Sequence, residues 1–594
     1  MLEKKIQKAI SEAFAQLYNH DLPEVEVGLQ PTRKEFEGSY TFVVFPYLKI
    51  TKGKPEDSGA QIGNWLKDNT DFITNFNVVK GFLNLELSDE SWLKTFSEIA
   101  ADESYGSFSP NGQKVMVEFS SPNTNKPLHL GHLRNNFLGD SASRILAANG
   151  YEVKKVNLVN DRGVHICKSM LAYQKVGNGE TPESAGMKGD HLIGKYYVKF
   201  DQMYKVEINT LIDKGIDPEE AKKEAPSIKE AQEMLQKWES GDAETVALWE
   251  KMNGWVYKGF DKTYETMGIS FDTMYKESNT YLLGKEVVEE GLEKGVFFKK
   301  ENGSVWVDLT AEGMDEKLVL RADGTAVYMT QDMGTCDMKH KDFAFDKSVF
   351  VVGNEQDYHF KVLFAIMGKL GRAYADGLYH LSYGMVDLPT GKMKSREGTV
   401  VDADDLLQEM FNTAEKHTRE LGKIEGMDEE EAMNLYRMLG LGALKYFLLK
   451  VDPKKRMLFN PQESIEFQGH TGPFIQYTHA RISAILRRGK SLEVQTGFDP
   501  EKVGELSKRE VELIFKITEF TKSLREAARE YSPAIIAQYV YDLAKDYNGF
   551  YQEVPIFNEE NNDRLAFRIV LSAITAKLIK KSMNILGIEV PERM

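Results

Sequence analysis

The apolar positions near the start of the chain, Ile6, Ile10, Phe14 and Leu17, recur at helical spacing, so an amphipathic helix is predicted there. Glu3 and Glu12 interrupt the run, and without a continuous apolar core it does not read as a signal or transit segment. Two stretches rich in β-branched and aromatic residues follow, SYTFVVFPYLKI from Ser39 and FNVVKGFLNLELS from Phe76; both predict strands, with a short helix between them in EDSGAQIGNWLKDN. Residues 1–108 therefore form an α+β unit, and SPNGQK (Ser109 to Lys114) supplies a linker with Pro and Gly together.

The pattern then changes. KVMVEF (Lys114 to Phe119) is a short apolar run, Leu133 to Ala148 repeats apolar residues at helical spacing (Leu133, Phe137, Leu138, Ile145), and YEVKKVNLVN (Tyr151 to Asn160) is again strand-like. Strand, polar loop, helix, strand is a βαβ unit and predicts a parallel sheet. SVFVVG (Ser348 to Gly353) and YHLSYGMV (Tyr379 to Val386) supply further strands of the same kind. The stretch from about 165 to 325, mostly charged helices plus SVWVDL, reads as insertions, giving an α/β domain over 109–401. From 402 to 594 helix follows helix: DADDLLQEMFNTAEKH opens on acids that favour a helix N-terminus, and the last long helix carries Val570, Ile574 and Leu578 on one stripe. The predicted fold class is a multidomain α/β protein with an all-α C-terminal domain.

Composition narrows the chemistry. The 594 residues are 42% hydrophobic and 28% charged, as in ordinary globular proteins, and no apolar run is long enough to span a bilayer. Cys167 and Cys336 lie far apart without CxxC spacing, which argues against a disulfide framework or zinc ribbon and fits a cytoplasmic setting. A net charge of −16 excludes coating nucleic acid by charge alone and requires any basic contact surface to be local.

Three apparent motifs fail on detail. GDHLIGKY has Gly189, Gly194 and Lys195 at phosphate-loop spacing, but Tyr196 stands where a hydroxyl should hold Mg²⁺. GLGALKY lacks the third glycine of a dinucleotide loop. His165 and Cys167 have no second ligand pair, so no resident metal is expected.

One stretch carries more. In SSPNTNKPLHLGHLRN, His129 and His132 flank Gly131 where a strand hands over to a helix. Backbone N–H groups and the helix dipole favour anions there, imidazoles can donate to phosphate oxygens, and Gly131 lets a flat base or sugar approach. GKMKSREGTVV (Gly391 to Val401) follows the strand ending at Val386 and brings Lys392, Lys394 and Arg396, cations suited to a polyphosphate. HxGH also occurs in small-molecule nucleotidyltransferases, which need no long helical C-terminus.

Together these elements resemble the HIGH and KMSKS elements of class I aminoacyl-tRNA synthetases, enzymes with a Rossmann-like catalytic domain. The similarity to the arginyl-tRNA synthetase family is closer and runs along nearly the whole chain, through VEFSSPNTNKPLHLGHLRN, VNLVNDRGVHICKSM, LVLRADGTAVYMTQDMG, VVGNEQDYHF, HLSYGMVDLPTGKMKSREG, GHTGPFIQYTHARI and ILGIEVPERM. A class I synthetase for another amino acid is the alternative.

The resemblance implies activation of L-arginine by ATP, with Mg²⁺ carried on the nucleotide, followed by transfer to the 2′-hydroxyl of the tRNA's terminal ribose, by a monomer. It implies that His129, Gly131, His132, His359, Met385, Val386, Lys392, Lys394 and Ser395 serve ATP, with His129, His132 and Lys392 catalytic. Ser395 stands where the usual second lysine would be, with Lys394 one place earlier. It places Glu118, Tyr328 and Asp332 around the guanidinium, and Asn123, Gln356 and His129 near the α-amino end. Tyr328 and Asp332, four apart, share one face if helical, and a planar cationic fork calls for carboxylates and a fixed hydroxyl. For tRNA it implies Gln476, Tyr477, Arg481, Tyr551 and Met594, the KGFLN stretch (Lys80 to Asn84), and a local basic cluster at Arg487, Arg488 and Lys490.

Overall fold

The computed structural model describes residues 2–387, 401–422, 424 and 426–594. Helix α1 (Leu2–Tyr18) packs with α2 (Pro55–Asn69) against an antiparallel sheet of order β1-β2-β4-β3, built from β1 (Leu29–Pro31), β2 (Tyr40–Val43), β3 (Ile73–Val79) and β4 (Phe82–Leu87). Helix α3 (Asp89–Ala101) completes the unit. Two expectations need correction. The run from Ser39 is not one strand: after Val43 the chain turns into a 3-10 turn, Phe45–Tyr47, where Pro46 has no N–H for a ladder, and then a short helix, Leu48–Thr51. The run from Phe76 is a hairpin, not a single strand, because Lys80 and Gly81 both take positive φ (49° and 77°).

The second layer is a five-stranded parallel sheet of order β12-β11-β5-β6-β7, from β5 (Lys114–Glu118), β6 (Glu152–Val159), β7 (Thr273–Lys276), β11 (Lys347–Gly353) and β12 (Leu378–Tyr383). Helix α4 (Leu130–Ala148) joins β5 to β6. Strand β7 lies inside the stretch read as insertion. The segment is therefore a long β6-to-β7 crossover, carrying α5 (Val164–Val176), α6 (Gly189–Asp213), α7 (Pro226–Glu239) and α8 (Ala243–Met267), and its last strand belongs to the main sheet. Beyond β7 a small antiparallel sheet, β8 (Phe297–Lys299), β9 (Val305–Val307) and β10 (Lys317–Leu320), precedes α9 (Tyr328–Phe343) and α10 (Asp357–Lys369).

Strand parity divides the core. Val115 and Val117 of β5 join Leu133 and Leu138 of α4 in one apolar cluster, and Val349 and Val351 of β11 lie with them. Met116 and Phe350 point the other way, into a cluster with Met333 of α9 and Val362, Leu363 and Ile366 of α10. Glu118 shares the parity of Met116 and so faces α9. The strand order turns back between β5 and β11, the switch point at whose carboxyl edge open α/β sheets bind ligands.

The expected strand Tyr379–Val386 breaks at Gly384. Its last part, β13 (Val386–Asp387), leaves the sheet to pair in parallel with β14 (Met457–Leu458). The helical region holds α11 (Ala403–Glu420), α12 (Glu429–Leu449), α13 (Gly472–Ser491), α14 (Lys508–Thr518), α15 (Phe520–Glu530), α16 (Pro533–Glu553) and α17 (Asn562–Ile585). The N-terminal unit docks on α14: the rings of Tyr40 and Trp92 lie 5.1 and 6.1 Å from Phe515, and the Tyr105 hydroxyl donates to the Ile517 carbonyl (2.8 Å).

Candidate active site

Beyond β5 the backbone bends sharply. Ser120 and Ser121 take positive φ (76° and 44°), a region that costs a side-chain-bearing residue about 1–3 kcal/mol. Asparagines hold them there: Asn135 Oδ1 accepts from Ser120 N (2.5 Å), Asn157 Oδ1 from Ser121 N (3.0 Å), and Asn136 donates to Ser120 Oγ (3.1 Å). The bend lays Pro122–Thr124 beside Asn160, with Asn160 N donating to the Pro122 carbonyl (2.9 Å) and Thr124 N to the Asn160 carbonyl (3.0 Å).

The paired histidines then begin α4, one turn earlier than the apolar spacing predicts. His129 is the N-cap: its Nδ1 accepts from Gly131 N (3.1 Å), while His132 Nδ1 accepts from His129 N (3.1 Å). This is a capping box with imidazoles in place of hydroxyl and carboxyl. A Cβ on residue 131 would lie 2.9 Å from the His129 ring, so glycine is what admits the capping imidazole. Because each Nδ1 accepts, each ring carries its proton on Nε2. Burial and the nearby Lys126 ammonium lower the His129 pKa to about 4, and burial and His129 lower that of His132 well below the ordinary value. The site thus offers two neutral imidazole donors, ring centres 4.0 Å apart, at a helix N-terminus.

The expected acids stand on other elements. Tyr328 and Asp332 both stand on the first turns of α9; Tyr328 is 74% exposed, and Asp332 Oδ2 meets His359 Nε2 at 2.6 Å. Glu118 is buried and already paired with Lys339 of the same helix, so its charge is compensated within the protein. Sequence reasoning passed over Glu277, the first residue after β7. Burial, then the charges of Asp332 and Asp161, raise its carboxyl to about 7. The buried Asp161 accepts from Tyr257 (2.7 Å) and from Ser278 N and Oγ (2.8 Å each), fixing the turn that carries Glu277. The only signal for Glu277 was its place after a strand hidden among charged helices.

A cavity of about 350 Å³ is lined by Asn123, Asn125, Lys126, Asn160, His165, Tyr197 and Tyr328. Gln356 ends a 3-10 turn after β11 and is exposed. The Met385 carbonyl already accepts from Met457 N (3.2 Å), and Val386 lies in the β13–β14 ladder. Lys392, Lys394, Ser395 and Arg396 lie outside the described residues. The chain beyond them joins the histidines directly: Leu130 N donates to the Val401 carbonyl (3.1 Å) and Ala403 N to the Leu128 carbonyl (3.0 Å). His191 Nε2 binds Asp402 (3.2 Å) and Asp404 (3.3 Å), which raises its pKa to about 10. Asp190, His191 and Asp404 approach one another as metal ligands would, but Lys188, 3.3 Å from Asp190 and bonded to Asp404, already supplies the positive charge. Gly189, Gly194 and Lys195 are helical residues of α6, with Lys195 paired to Glu180 (2.8 Å), and the buried Cys167 thiol is pushed up to about 12 by burial.

In the helical region Tyr477, Arg481, Tyr551 and Met594 converge on a cavity of about 590 Å³, with Arg487 and Arg488 also at its wall. The Arg481 guanidinium lies over the rings of Tyr477 (4.9 Å) and Tyr551 (5.3 Å). Lys490 is not part of that wall. Gln476 does not fit its expected role. It is fully buried and donates to the carbonyls of Met438 (3.1 Å) and Glu589 (2.8 Å), so it binds the chain's last turn to α13 and offers no edge to a base.

A family model described as the catalytic domain of class I tRNA synthetases (R) matches residues 95–460, and a DALR anticodon-binding domain model matches 475–594. The fold and the paired imidazoles are thus those of a class I aminoacyl-tRNA synthetase. An arginine–tRNA ligase of Amoebophilus asiaticus is 59% identical over 590 residues, covering 99% of each chain, and that of Bacteroides thetaiotaomicron is 56% identical over the whole of both. The chain belongs to the arginine–tRNA ligase family. Its fold is that of the arginyl-tRNA synthetase of Thermus thermophilus (TM-score 0.81, 24% identity, all of both chains) and of the Plasmodium falciparum enzyme (0.77, 20%, 100% and 99%).

Proposed function

We propose that this protein charges tRNA with L-arginine, using ATP. A carboxylate oxygen of arginine attacks the α-phosphorus, the bond to the bridging oxygen breaks, and pyrophosphate leaves; the arginyl group then passes from the adenylate to the 2′-hydroxyl of the terminal ribose. The amino acid is its own nucleophile, so the chain has only to orient reactants and stabilise charge. The observation that carries the reading is the pair of neutral imidazole donors at the start of α4, on the carboxyl edge of the parallel sheet that also carries Glu277 after β7.

In this reading the Nε2–H groups of His129 and His132 donate to oxygens around the α-phosphate, where negative charge grows. Neutral rings suit the task, because they need no proton from solvent at physiological pH. Asp332, Glu277 and the Tyr328 hydroxyl meet the guanidinium, and Glu118 shapes the pocket floor through Lys339. Asn123 and Gln356 serve the α-amino end, His359 orients Asp332 beside the nucleotide, Met385 and Val386 edge the adenine, and Lys392 with Lys394 and Ser395 serves the β- and γ-phosphates. Residues 109–401 act as the catalytic domain, 1–108 as a tRNA-contacting domain through Lys80–Asn84, and 402–594 as the anticodon reader through Tyr477, Arg481, Tyr551 and Met594. The enzyme works as a cytoplasmic monomer, with Mg²⁺ arriving on ATP.

ATP–pyrophosphate exchange measured across the amino acids, with and without tRNA, tests the proposal. Exchange is expected with arginine and with no other amino acid; its absence with arginine under every condition refutes the substrate assignment.

A further inference from the structure

Arg134 stands in the second turn of α4, just after the paired histidines, yet it does not face the crevice. Its side chain is completely buried, 0% exposed, and is among the largest of the fully buried side chains. A buried guanidinium without a carboxylate partner is costly, so what it holds matters. It holds one loop. Its Nη2 donates to three backbone carbonyls, Pro453 (3.0 Å), Lys455 (3.0 Å) and Asp452 (3.5 Å).

That loop in turn holds the Gly384–Asp387 segment. Gly384 N donates to the Pro453 carbonyl (2.9 Å), Met457 N to the Met385 carbonyl (3.2 Å), Phe459 N to the Asp387 carbonyl (2.9 Å), and Arg456 binds the Asp387 carboxylate (2.7 Å). The fit is close: a Cβ on residue 384 would lie 2.6 Å from Arg456 N and from the Lys455 carbonyl oxygen. Among the described residues, the Gly384–Asp387 segment has left the parallel sheet and is registered by this loop through β14.

We infer that Arg134 is a positioning residue for the nucleotide. It acts through the 452–457 loop to fix the height of Met385–Asp387 relative to the imidazoles that begin its own helix. One rigid helix thereby sets the distance between the groups at the α-phosphate and the backbone at the base. The inference rests on the ATP-using function proposed above.

The test is steady-state ATP–pyrophosphate exchange by the full-length enzyme with arginine and tRNA, comparing wild type, Arg134→Lys, Arg134→Met and Gly384→Ala. Arg134→Met is expected to raise the KM for ATP between about tenfold and 100-fold, the scale of an ångström-sized misplacement, while the KM for arginine stays within about threefold. Arg134→Lys, which keeps a donor toward the carbonyls, should recover part of the loss. Gly384→Ala pushes the same segment from its other side and should reproduce the ATP-selective defect with Arg134 intact. If Arg134→Met does not fold, Arg134→Lys and Gly384→Ala decide. An unchanged KM for ATP in those two variants, or equal rises for ATP and arginine, overturns the inference while leaving the function standing. A wild type that exchanges nothing with arginine fails the function itself.

Discussion

Replacing Glu277 by glutamine separates its cost to the fold from its use in binding. The carboxyl sits at about 7 instead of its ordinary 4.5 because burial, then Asp332, Asp161 and Glu118, disfavour its charge, with only partial relief from Arg162. Below about pH 4.5 it is protonated in the folded and unfolded chain alike and costs nothing. Between 4.5 and 7 the unfolded chain ionises first, so stability falls as pH rises; above 7 the whole cost is present. Such a displacement is worth about 3 kcal/mol at most, and partial solvent access brings the expected cost to about 1–3 kcal/mol. Glu277→Gln should therefore stabilise the unliganded enzyme at pH 8 by that amount and leave it unchanged at pH 4, measured by urea unfolding across pH. Binding moves the other way. A guanidinium needs the ionised carboxylate, of which about a tenth is present at pH 6, so the wild-type KM for arginine should be about tenfold higher at pH 6 than at pH 8. The variant should bind arginine more weakly at pH 8 and lose that pH dependence. A variant no more stable than wild type at pH 8, or an arginine KM in the variant that still falls between pH 6 and 8 as before, would refute the account.

Asp332→Ala should raise the KM for arginine by about 10²-fold, with far less effect on that for ATP, because it removes a charge-assisted bond to the guanidinium and only frees His359 from the nucleotide side; equal effects would count against its role. His129→Ala removes both a helix cap, worth about 1 kcal/mol of stability, and a transition-state donor, worth about 10²–10³ in kcat, read by thermal unfolding and single-turnover adenylate formation. With His129 at about 4, the exchange rate should show no acid limb from the imidazole pair above about pH 5. Gln476→Ala should cost about 1–3 kcal/mol by freeing the Glu589 and Met438 carbonyls, whereas Arg481→Ala, which loses a hydrogen bond to Asn548 and its contacts with Tyr477 and Tyr551, should cost about 1–2 kcal/mol and also raise the KM for tRNA.

Much of the architecture was legible in the chain because its elements obey simple periods. The β5–α4–β6 unit and the helical C-terminus were readable from apolar spacing alone. Strand β7 was not: TMYK is four residues long and partly polar, and it sits among charged helices, so nothing local distinguishes it from insertion. Glu277 disappeared with it, since its meaning comes from the sheet edge it ends. The His129–His132 spacing pointed to phosphate chemistry, but what keeps both rings neutral is their burial beside Lys126 and each other, which spacing does not encode. Gln476 was misjudged for a similar reason: its partner Glu589 lies 113 residues away, and only the folded tail brings it there.

If, as proposed, the same two rings that start a helix also address the substrate, selection cannot freely trade one duty against the other. A serine or asparagine at 129 would restore the helix start but not the reach, and a long cationic side chain would supply reach but unravel the first turn. Most drift at these positions is penalised twice, in folding yield and in turnover, and a change to a good capping residue is penalised in turnover alone. A variant library sorted on folding alone would therefore admit serine or asparagine at 129, and only a second sort on turnover would return the histidine.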